Sequence, residues 1–347
     1  MTILAFETSC DETSAAVVRA GQVLSNVVSS QVRLHAEYGG VVPELAAREH
    51  LKNLVPVAEA ALAEAGVKPE ELDAVAATQG PGLPTALLVG LKAAQAMAFA
   101  LDRPFIGVNH HEAHLYSPWI SGRPAVADFR TFVPHVSLIV SGGHTLLVKV
   151  EGELRHRVLG GTIDDAAGEC FDKTGKLMGL PYPAGPVIDR LAAEGNPAAY
   201  DFPRPLMHDP NDDFSFSGLK TSVRYFLRDH PAVLASASGV RDLCASVQAA
   251  IVEVLVRKTV RAAKREGVSC VTASGGVTCN RALRRELETA CRRNRLTLRL
   301  ADPGLCTDNA GMIGILAERK LQSGIPGADL DTEIKPGWGL EALAETR

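Results

Sequence analysis

Apolar and polar positions at the start of the chain predict a strand, a polar turn and two further strands. Residues 3–6 form an apolar run, the turn ETSCDETS follows at residues 7–14, and further apolar runs occupy residues 15–19 and 23–28. Short apolar runs separated by small, turn-forming residues are typical of β-strands. The pattern therefore predicts a strand meander whose first turn carries small and acidic side chains.

Helical and strand patterns then alternate up to residue 116. Apolar positions at helical spacing predict a helix over residues 43–65, and residues 73–78 form a short apolar strand. Pro84, after the loop Gly80-Pro81-Gly82, stands where a proline commonly begins a helix, here one predicted to end at residue 101. A strand over residues 105–108 leads directly into the segment NHHEAHLY at residues 109–116.

The same order of elements recurs in the second half. Residues 136–140 and 145–150 predict two strands joined by the turn SGGH at residues 141–144. A helix over 241–265, a strand over 269–273, a glycine turn at 274–276 and helices over 281–292 and 308–321 follow. Two halves that each open with strand, turn and strand predict a duplicated α/β fold, with the closing helix packed on the first half. Residues 151–240, rich in glycine, proline and aspartate, are expected to form helical and loop insertions.

The length of the chain predicts two domains. Single hydrophobic cores stop growing at roughly 250–300 residues, and this chain has 347. We expect a first lobe of residues 1–120, completed by about residues 308–330, and a second lobe of residues 121–307.

Composition and charge favour a cytoplasmic protein without a membrane span. The net charge of -4 gives no overall attraction to nucleic acid or membrane. The seven cysteines are scattered, and none forms the C-x-x-C pair of zinc or redox sites, which indicates reduced thiols. The N-terminus lacks the pattern of a signal peptide, and the apolar stretch at 87–101 is too short to span a bilayer. One basic cluster is either a local patch or, as we favour, a solvated helix face: Arg284, Arg285, Arg292, Arg293 and Arg295.

His110 and His114 are the first candidates for chemistry. Residues four apart lie on the same face of a helix, and these two follow directly after a predicted strand. The spacing allows two imidazoles to hold one metal ion, whereas the alternative is two polar residues on a solvated helix face.

Three polar turns follow directly after apolar strands, at residues 8–13, 141–144 and 274–276. Such turns expose successive backbone N–H groups that can bind anions. The sequence contains neither the P-loop motif nor a G-x-G-x-x-G after the first strand. The turns therefore predict a nucleotide cleft between two lobes that is neither of the P-loop nor of the dinucleotide-binding type.

Several ordered motifs together resemble one known family, over about residues 3–320. They are ETSCDETS at 7–14, NHHEAH at 109–114, VSGGHT at 140–145, DDAAGECFDK at 164–173, FSFSGLKT at 214–221, GGVTCN at 275–280 and TDNA at 307–310. In these motifs the chain resembles the universal tRNA N6-adenosine threonylcarbamoyltransferase family, whose bacterial branch is TsaD and which was formerly called O-sialoglycoprotein endopeptidase. Ala184 and Cys170 depart from the pattern, where many members have glycine and alanine.

The resemblance implies a fold and a reaction. The fold is the actin-like, sugar-kinase-like ATPase fold, in which two lobes of duplicated α/β units surround a nucleotide cleft. The reaction transfers a threonylcarbamoyl group from threonylcarbamoyl-AMP to N6 of the adenosine at position 37, just 3′ of the anticodon, in tRNAs that read codons beginning with A. AMP leaves.

The resemblance also assigns a metal site and its ligands. His110 and His114 match the family's histidine pair, and Asp308 matches its third ligand. One divalent ion is implied, most often Fe²⁺, although zinc and manganese also suit imidazole and carboxylate donors. Asp308 has an alternative interpretation as a helix N-cap, because a predicted helix follows it.

Matching positions suggest which residues contact the donor. The loop residues Ile139, Val140, Ser141, Gly142 and Gly143 match the family's substrate loop. Asp172 matches a carboxylate that contacts the ribose, Gly185 allows close approach to the nucleoside, and Asn280 can pair with an adenine edge. Asp189 has the same kind of match, but it fits equally well as a plain surface carboxylate.

Asp11 and Glu12 are candidate catalytic residues from the first turn. They are expected to orient the incoming amine or accept its proton. The alternative is that they only cap the turn.

Three further functions compete with this transferase function. A metalloprotease of the zincin type needs H-E-x-x-H, and residues 111–114 read H-E-A-H instead. The second competing function is a small-molecule kinase of the same fold, and the third is a non-catalytic scaffold.

The resemblance also implies tRNA, a smaller inactive paralogue without the metal site and a small P-loop ATPase as partners.

Overall fold

The computed structural model describes residues 1–344. The strands that form its first sheet are β1 (Thr2–Glu7), β2 (Glu12–Arg19), β3 (Gln22–Ser30), β4 (Ala74–Gly80), β5 (Phe105–Asn109), β6 (Ile120–Ser121) and β7 (Ala125–Ala127). The strands of its second sheet are β8 (His135–Val140), β9 (Thr145–Gly152), β10 (Arg155–Gly161), β11 (Cys270–Ser274) and β12 (Thr297–Leu300).

The α-helices fall between and after these strands. They are α1 (Val32–Ala36), α2 (Pro43–Ala65), α3 (Pro84–Leu101), α4 (His110–Tyr116), α5 (Ala167–Leu177), α6 (Ala184–Ala192), α7 (Ser217–Asp229), α8 (Ala237–Arg265), α9 (Arg281–Arg293), α10 (Pro303–Cys306), α11 (Ala310–Gln322) and α12 (Glu341–Ala344).

The two sheets share one topology, as the predicted duplication requires. The first five strands of the first sheet are ordered β5-β4-β1-β2-β3, and the second sheet is ordered β10-β9-β8-β11-β12. In each, the first strand pairs antiparallel with the second, and the second antiparallel with the third. The fourth strand pairs parallel with the first and with the fifth. Both halves are therefore the same α/β unit.

Two compact units contain these sheets. The first unit is Met1–Phe132 together with the chain from Ala301 onward, and the second is Val133–Leu300. The boundaries expected from the sequence, after residues 120 and 307, differ from these. Residues just beyond 120 stay with the first unit because β6 and β7 extend its sheet beside β3. Residues before 308 join it because Leu305 packs against Val18 and Ile315.

Helices cover the first sheet through close backbone contact. Strand β1 is buried along its whole length. Helix α3 packs over β1 and β4 with Leu91 in the core, and α2 packs over β2 and β3 with Leu54 in the core. Helix α11 packs against β1 and β2, as expected of the closing helix. At Gly314 a Cβ atom would lie 2.7 Å from Val18 Cγ2, so this approach requires glycine.

Helix α3 is long and apolar enough to cross a membrane, judged by length and composition alone. Seven of its residues, among them Leu87, Leu91 and Gln95, are nevertheless buried within the first unit. The helix packs against α2 and β4, which is the environment of a core helix.

The second unit corrects the expectation for residues 151–240. Most of this stretch forms α5, α6, α7 and connecting loops, but Arg155–Gly161 is strand β10. That strand lies at the edge of its sheet and is half-buried or exposed along most of its length. Its two arginines and partial exposure hide the apolar signal by which a buried strand is recognised.

Candidate functional site

The histidine pair is carried by a short buried helix that follows strand β5. Asn109 is the N-cap of α4, since its Oδ1 accepts a hydrogen bond from the Glu112 N–H at 3.0 Å. The Asn109 side chain also donates to the Trp338 carbonyl at 2.8 Å, so the C-terminal segment fixes the start of the helix. Every residue of α4 is buried, so His110 and His114 do not lie on a solvated helix face.

Asp308 meets both histidines at one point. Its Oδ1 lies 3.3 Å from His110 Nε2 and 3.2 Å from His114 Nε2. One donor atom from each of the three residues lies within 4.8 Å of the other two. Two imidazole nitrogens and one carboxylate oxygen fit Fe²⁺, Zn²⁺ or Mn²⁺. The His110–His114–Asp308 cluster can therefore hold a metal ion.

Asp308 does not cap the helix that follows it. Asn309 is the N-cap of α11, and its Oδ1 accepts from the Met312 N–H at 3.1 Å. The cap role that the sequence left open for Asp308 thus belongs to its neighbour, and the Asp308 carboxylate faces the histidines.

The electrostatics of the cluster favour positive charge. Burial disfavours a charge on His110, but the carboxylates of Asp308 and Glu7 outweigh it and raise the pKa of His110 well above its ordinary value. Burial also opposes ionisation of Asp308, yet His110 and His114 hold its pKa well below the usual range. Burial is the main cause of the lowered pKa of His114. The site thus stabilises a cationic charge between two carboxylates.

Glu7 is a contact of this cluster that sequence reasoning missed. Its carboxylate is fully buried at the end of β1, and Oε2 lies 2.9 Å from His110 Nδ1. The sequence signal that could have identified Glu7 is an acidic residue at the end of an apolar strand, because a buried charge there requires a partner.

Glu112 lies on the same helix but serves another contact. Its carboxylate forms a buried ion pair with Lys320 Nζ on α11 at 2.9 Å. A zincin uses the glutamate beside its first histidine as a general base on water. Because Glu112 is paired with Lys320, the structure offers no support for the peptidase alternative.

Asp11 lies in the turn between β1 and β2, and Glu12 is the first residue of β2. Both are half-buried, in the same unit as the His110–His114–Asp308 cluster. Burial raises the pKa of Glu12 well above its ordinary value, and the negative charges of Asp11 and Asp308 add to this effect. A carboxylate with a raised pKa is a stronger base than an ordinary one, which suits proton transfer near neutral pH.

A buried histidine, His50, is hydrogen-bonded to residues on both sides of Asp11 and Glu12. His50 Nε2 lies 3.0 Å from the Cys10 carbonyl oxygen, which can only accept, so Nε2 carries the proton. Its Nδ1 then accepts from the Thr13 hydroxyl at 2.8 Å. The Gln31 backbone N–H donates to the Asp11 carbonyl at 3.0 Å. These bonds fix the backbone on both sides of the acidic residues, and no local sequence pattern indicates them.

The predicted donor-binding loops of the second unit lie side by side. The turns after β8 and β11 follow two parallel, paired strands and so leave the same edge of the sheet. A Cβ on Gly275 would lie 2.3 Å from the Val140 carbonyl oxygen, and one on Gly168 would lie 2.4 Å from that of Ser141. Ile139 and Val140 are buried in β8, whereas Gly142 and Gly143 are exposed.

The remaining predicted residues already have partners within the unit. Asp172 Oδ1 accepts the N–H groups of Ala184 at 2.7 Å and Gly185 at 3.3 Å. Asn280 caps α9 through the Leu283 N–H at 2.9 Å and donates to Gln248 Oε1 at 2.6 Å.

Asp189 is paired rather than a plain surface carboxylate, because Arg281 Nε lies 2.7 Å from its Oδ2. The basic cluster of α9 is likewise neutralised in part, since Arg285 pairs with Glu286 and Arg292 with Glu288. These pairs agree with a solvated helix face.

The chain is similar in sequence to one family of known proteins. The family described as "TsaD: tRNA N6-adenosine threonylcarbamoyltransferase" matches residues 22–315. A protein of that name from Geotalea uraniireducens is 51% identical over 346 residues, 99% of this chain and 98% of its own. Another from Syntrophotalea carbinolica is 48% identical over 342 residues, 98% of this chain and 97% of its own.

A solved structure matches at the level of fold. Component A of the (R)-2-hydroxyglutaryl-CoA dehydratase of Acidaminococcus fermentans superposes with a TM-score of 0.54 at 13% identity, covering 93% of this chain and 99% of its own. With the repeated sheet topology, this similarity confirms the actin-like, sugar-kinase-like ATPase fold. The sequence matches go further: the chain belongs to the tRNA N6-adenosine threonylcarbamoyltransferase family.

Proposed function

We propose that the protein transfers the threonylcarbamoyl group of threonylcarbamoyl-AMP to N6 of the adenosine at position 37 in tRNAs that read codons beginning with A. The observation that carries this proposal is the convergence of His110, His114 and Asp308 in a member of this transferase family. No observation favours the small-molecule kinase or the scaffold.

The metal ligands supply the first part of the mechanism. A divalent ion held by His110, His114 and Asp308 would supply Lewis-acid polarisation and a fixed anchor for donor oxygens. We infer Fe²⁺ as the native ion, because the family resemblance points to it and the nitrogen and oxygen donors suit it. The side chain of Asp308 is 20% exposed, against 6% for His110 and 1% for His114, so donor oxygens would approach from the Asp308 side.

The second unit would hold the nucleotide part of the donor. The exposed backbone of Gly142 and Gly143 suits close approach of phosphate oxygens. Ile139, Val140 and Ser141 fix the base of that loop. Asp172 and Gly185 form one contact pair suited to a sugar, and Asp189 and Asn280 flank the start of α9, where they would meet the adenine.

The acidic turn would complete the reaction. The N6 amine attacks the carbamoyl carbon, a new C–N bond forms, and the C–O bond to the phosphate breaks with its electron pair leaving on AMP. The amine must lose a proton. Glu12, whose pKa is raised by burial, would accept that proton, and Asp11 would orient the amine.

Partners and location follow from the same family membership. tRNA is the substrate, and we infer that a smaller inactive paralogue and a small P-loop ATPase assist in the cytoplasm. Leu51 and Val55 on α2 and Phe99 on α3 are 68%, 62% and 76% exposed. Exposed apolar side chains on neighbouring helices are typical of a protein interface, and they suit the paralogue.

Incorporation of labelled threonine into unmodified tRNA tests the function. The assay contains threonine, bicarbonate, ATP, a threonylcarbamoyl-AMP synthase and both partners. We expect incorporation with wild type and a loss of at least about 100-fold with His110→Ala or Asp308→Ala. His208→Ala, at an exposed histidine, is the matched control and should behave as wild type. Equal activity of all variants would remove the metal role, and an inactive wild type would overturn the function.

A further inference from the structure

The carboxylate of Glu7 is a buried anion in direct contact with a metal ligand. It lies at the last residue of β1 and is 0% exposed. An isolated buried carboxylate is strongly unfavourable unless it is paired and hydrogen-bonded. Glu7 therefore stays buried only because its neighbours satisfy it, and their arrangement indicates what it does.

Three donors fix the orientation of this carboxylate. Oε1 accepts the Ser9 backbone N–H, and Oε2 accepts the Thr78 hydroxyl from the adjacent strand β4. The third donor is His110, whose Nδ1 lies 2.9 Å from Oε2. Because β1 is paired on both sides, by β2 and β4, the carboxylate is held on rigid backbone.

We propose that Glu7 is a positioning residue that makes Nε2 of His110 the metal-binding atom and tightens metal binding through it. An ionised carboxylate can only accept, so Nδ1 must carry the proton that lies between them. The lone pair of a neutral His110 ring is then confined to Nε2, the atom that faces Asp308 Oδ1 at 3.3 Å. A carboxylate behind a histidine also raises its basicity as a ligand.

His114 shows that this support is particular to His110. Its Nε2 likewise faces Asp308, but its buried Nδ1 has no hydrogen-bond partner within residues 1–344. The two imidazoles are thus unequal ligands, because an anion holds the Nδ1 side of His110 whereas only packing holds the Nδ1 side of His114. The inference rests on the proposed metal site, but it concerns binding and needs no tRNA.

Titration of the purified full-length protein with Co²⁺ tests the inference. The dissociation constant and the visible d–d spectrum are measured for wild type and for Glu7→Gln, which keeps the size and one acceptor oxygen. Loss of a carboxylate behind a ligating histidine weakens metal binding by about 10–100-fold. We expect that loss together with an altered spectrum. Wild-type affinity and an unchanged spectrum in Glu7→Gln would overturn the proposal.

Matched variants separate orientation from general damage. The double variant Glu112→Gln with Lys320→Met removes a buried carboxylate of α4 together with its ion-pair partner, and should bind Co²⁺ as wild type does. Thr78→Val deletes one bond to Glu7 and leaves its charge, so a loss of about 3–10-fold is expected. If Glu7→Gln fails to fold by circular dichroism, unchanged affinity in Thr78→Val overturns the proposal.

The threonine-incorporation assay distinguishes failure of the proposed function from failure of the proposed role of Glu7. A wild type that modifies tRNA but binds no Co²⁺ would overturn both the metal site and the role of Glu7. A wild type that binds Co²⁺ tightly, with Glu7→Gln weakened, would support the inference even if tRNA is not modified.

Discussion

At the scale of single residues, the surroundings of a buried polar side chain determine its charge and its effect on stability. His110 and Glu7 satisfy each other inside the first unit. In the second unit, His135 is 0% exposed at the start of β8, and its Nδ1–H donates to the Val133 carbonyl at 2.8 Å. Burial lowers the pKa of His135 to about 4, and the positive charge of Arg299 adds to this. Protonation of this histidine therefore opposes folding.

The stability of the protein should fall in acid for this reason. A folded pKa of about 4, against about 6.5 in the unfolded chain, means that the unfolded state binds the proton first as pH falls. His135 leaves stability unaffected above pH ~6.5, and the free energy of unfolding then falls by up to about 3 kcal/mol as pH approaches 4.

Urea unfolding of wild type and His135→Gln at pH 7.5, 6, 5 and 4.5 measures this effect. The difference between the two proteins should shrink or reverse as pH falls, because glutamine cannot be protonated. A constant difference at all four values would contradict the assignment.

At the scale of elements, a helix or strand is predicted from sequence when its apolar face is buried and when proline or glycine marks its ends. Helices α2 and α3 are predicted with their observed bounds, because a proline begins each one and Gly66, with φ of 62°, ends α2. The edge strand β10 escapes prediction because exposure on an edge removes apolar periodicity. The convergence of His110, His114 and Asp308 is predicted by motif. Glu7 and His50 instead act through contacts between distant segments, which no local pattern records.

The glycine turn after β11 has no room for one added carbon at Gly275. Gly275 has φ 92° and ψ 154°, a conformation that is essentially confined to glycine. We expect Gly275→Ala to lower the free energy of unfolding by about 3 kcal/mol, through backbone strain and the clash with Val140.

Gly143→Ala is the control, because a Cβ there would meet no atom within 4 Å. It should change stability by less than about 0.5 kcal/mol. Equal effects of the two substitutions in chemical unfolding would show that the close approach at Gly275 is relieved at little cost.

At the scale of the whole molecule, the three proposed metal ligands all belong to one unit although they are distant in sequence. His110 and His114 precede the second unit in the chain, and Asp308 follows it. A metal ion that binds all three stabilises the folded first unit by mass action, with no direct effect on the second.

Calorimetry should therefore show a selective effect of metal. At a free metal concentration of about 100 times the dissociation constant the stabilisation is about 2.7 kcal/mol, which raises the first unit's transition by about 5–10 °C. Hydrogen exchange identifies the protected unit. Asp308→Asn should abolish the shift, whereas Asp164→Asn in the second unit should leave it intact. A uniform shift of both units would contradict the assignment.

The second unit lies within the sequence of the first, and this arrangement sets an order of events during synthesis. Strands β1 to β7 and both histidines leave the ribosome before any of the second unit, yet Asp308 and the segment that contacts Asn109 come after all of it. At about 5–20 residues per second, the intervening unit delays them by roughly ten seconds or more. The second unit is continuous and can fold while the first waits. A nascent chain thus carries two histidines without their carboxylate, and the proposed metal site can be loaded only after Asp308 has been synthesised.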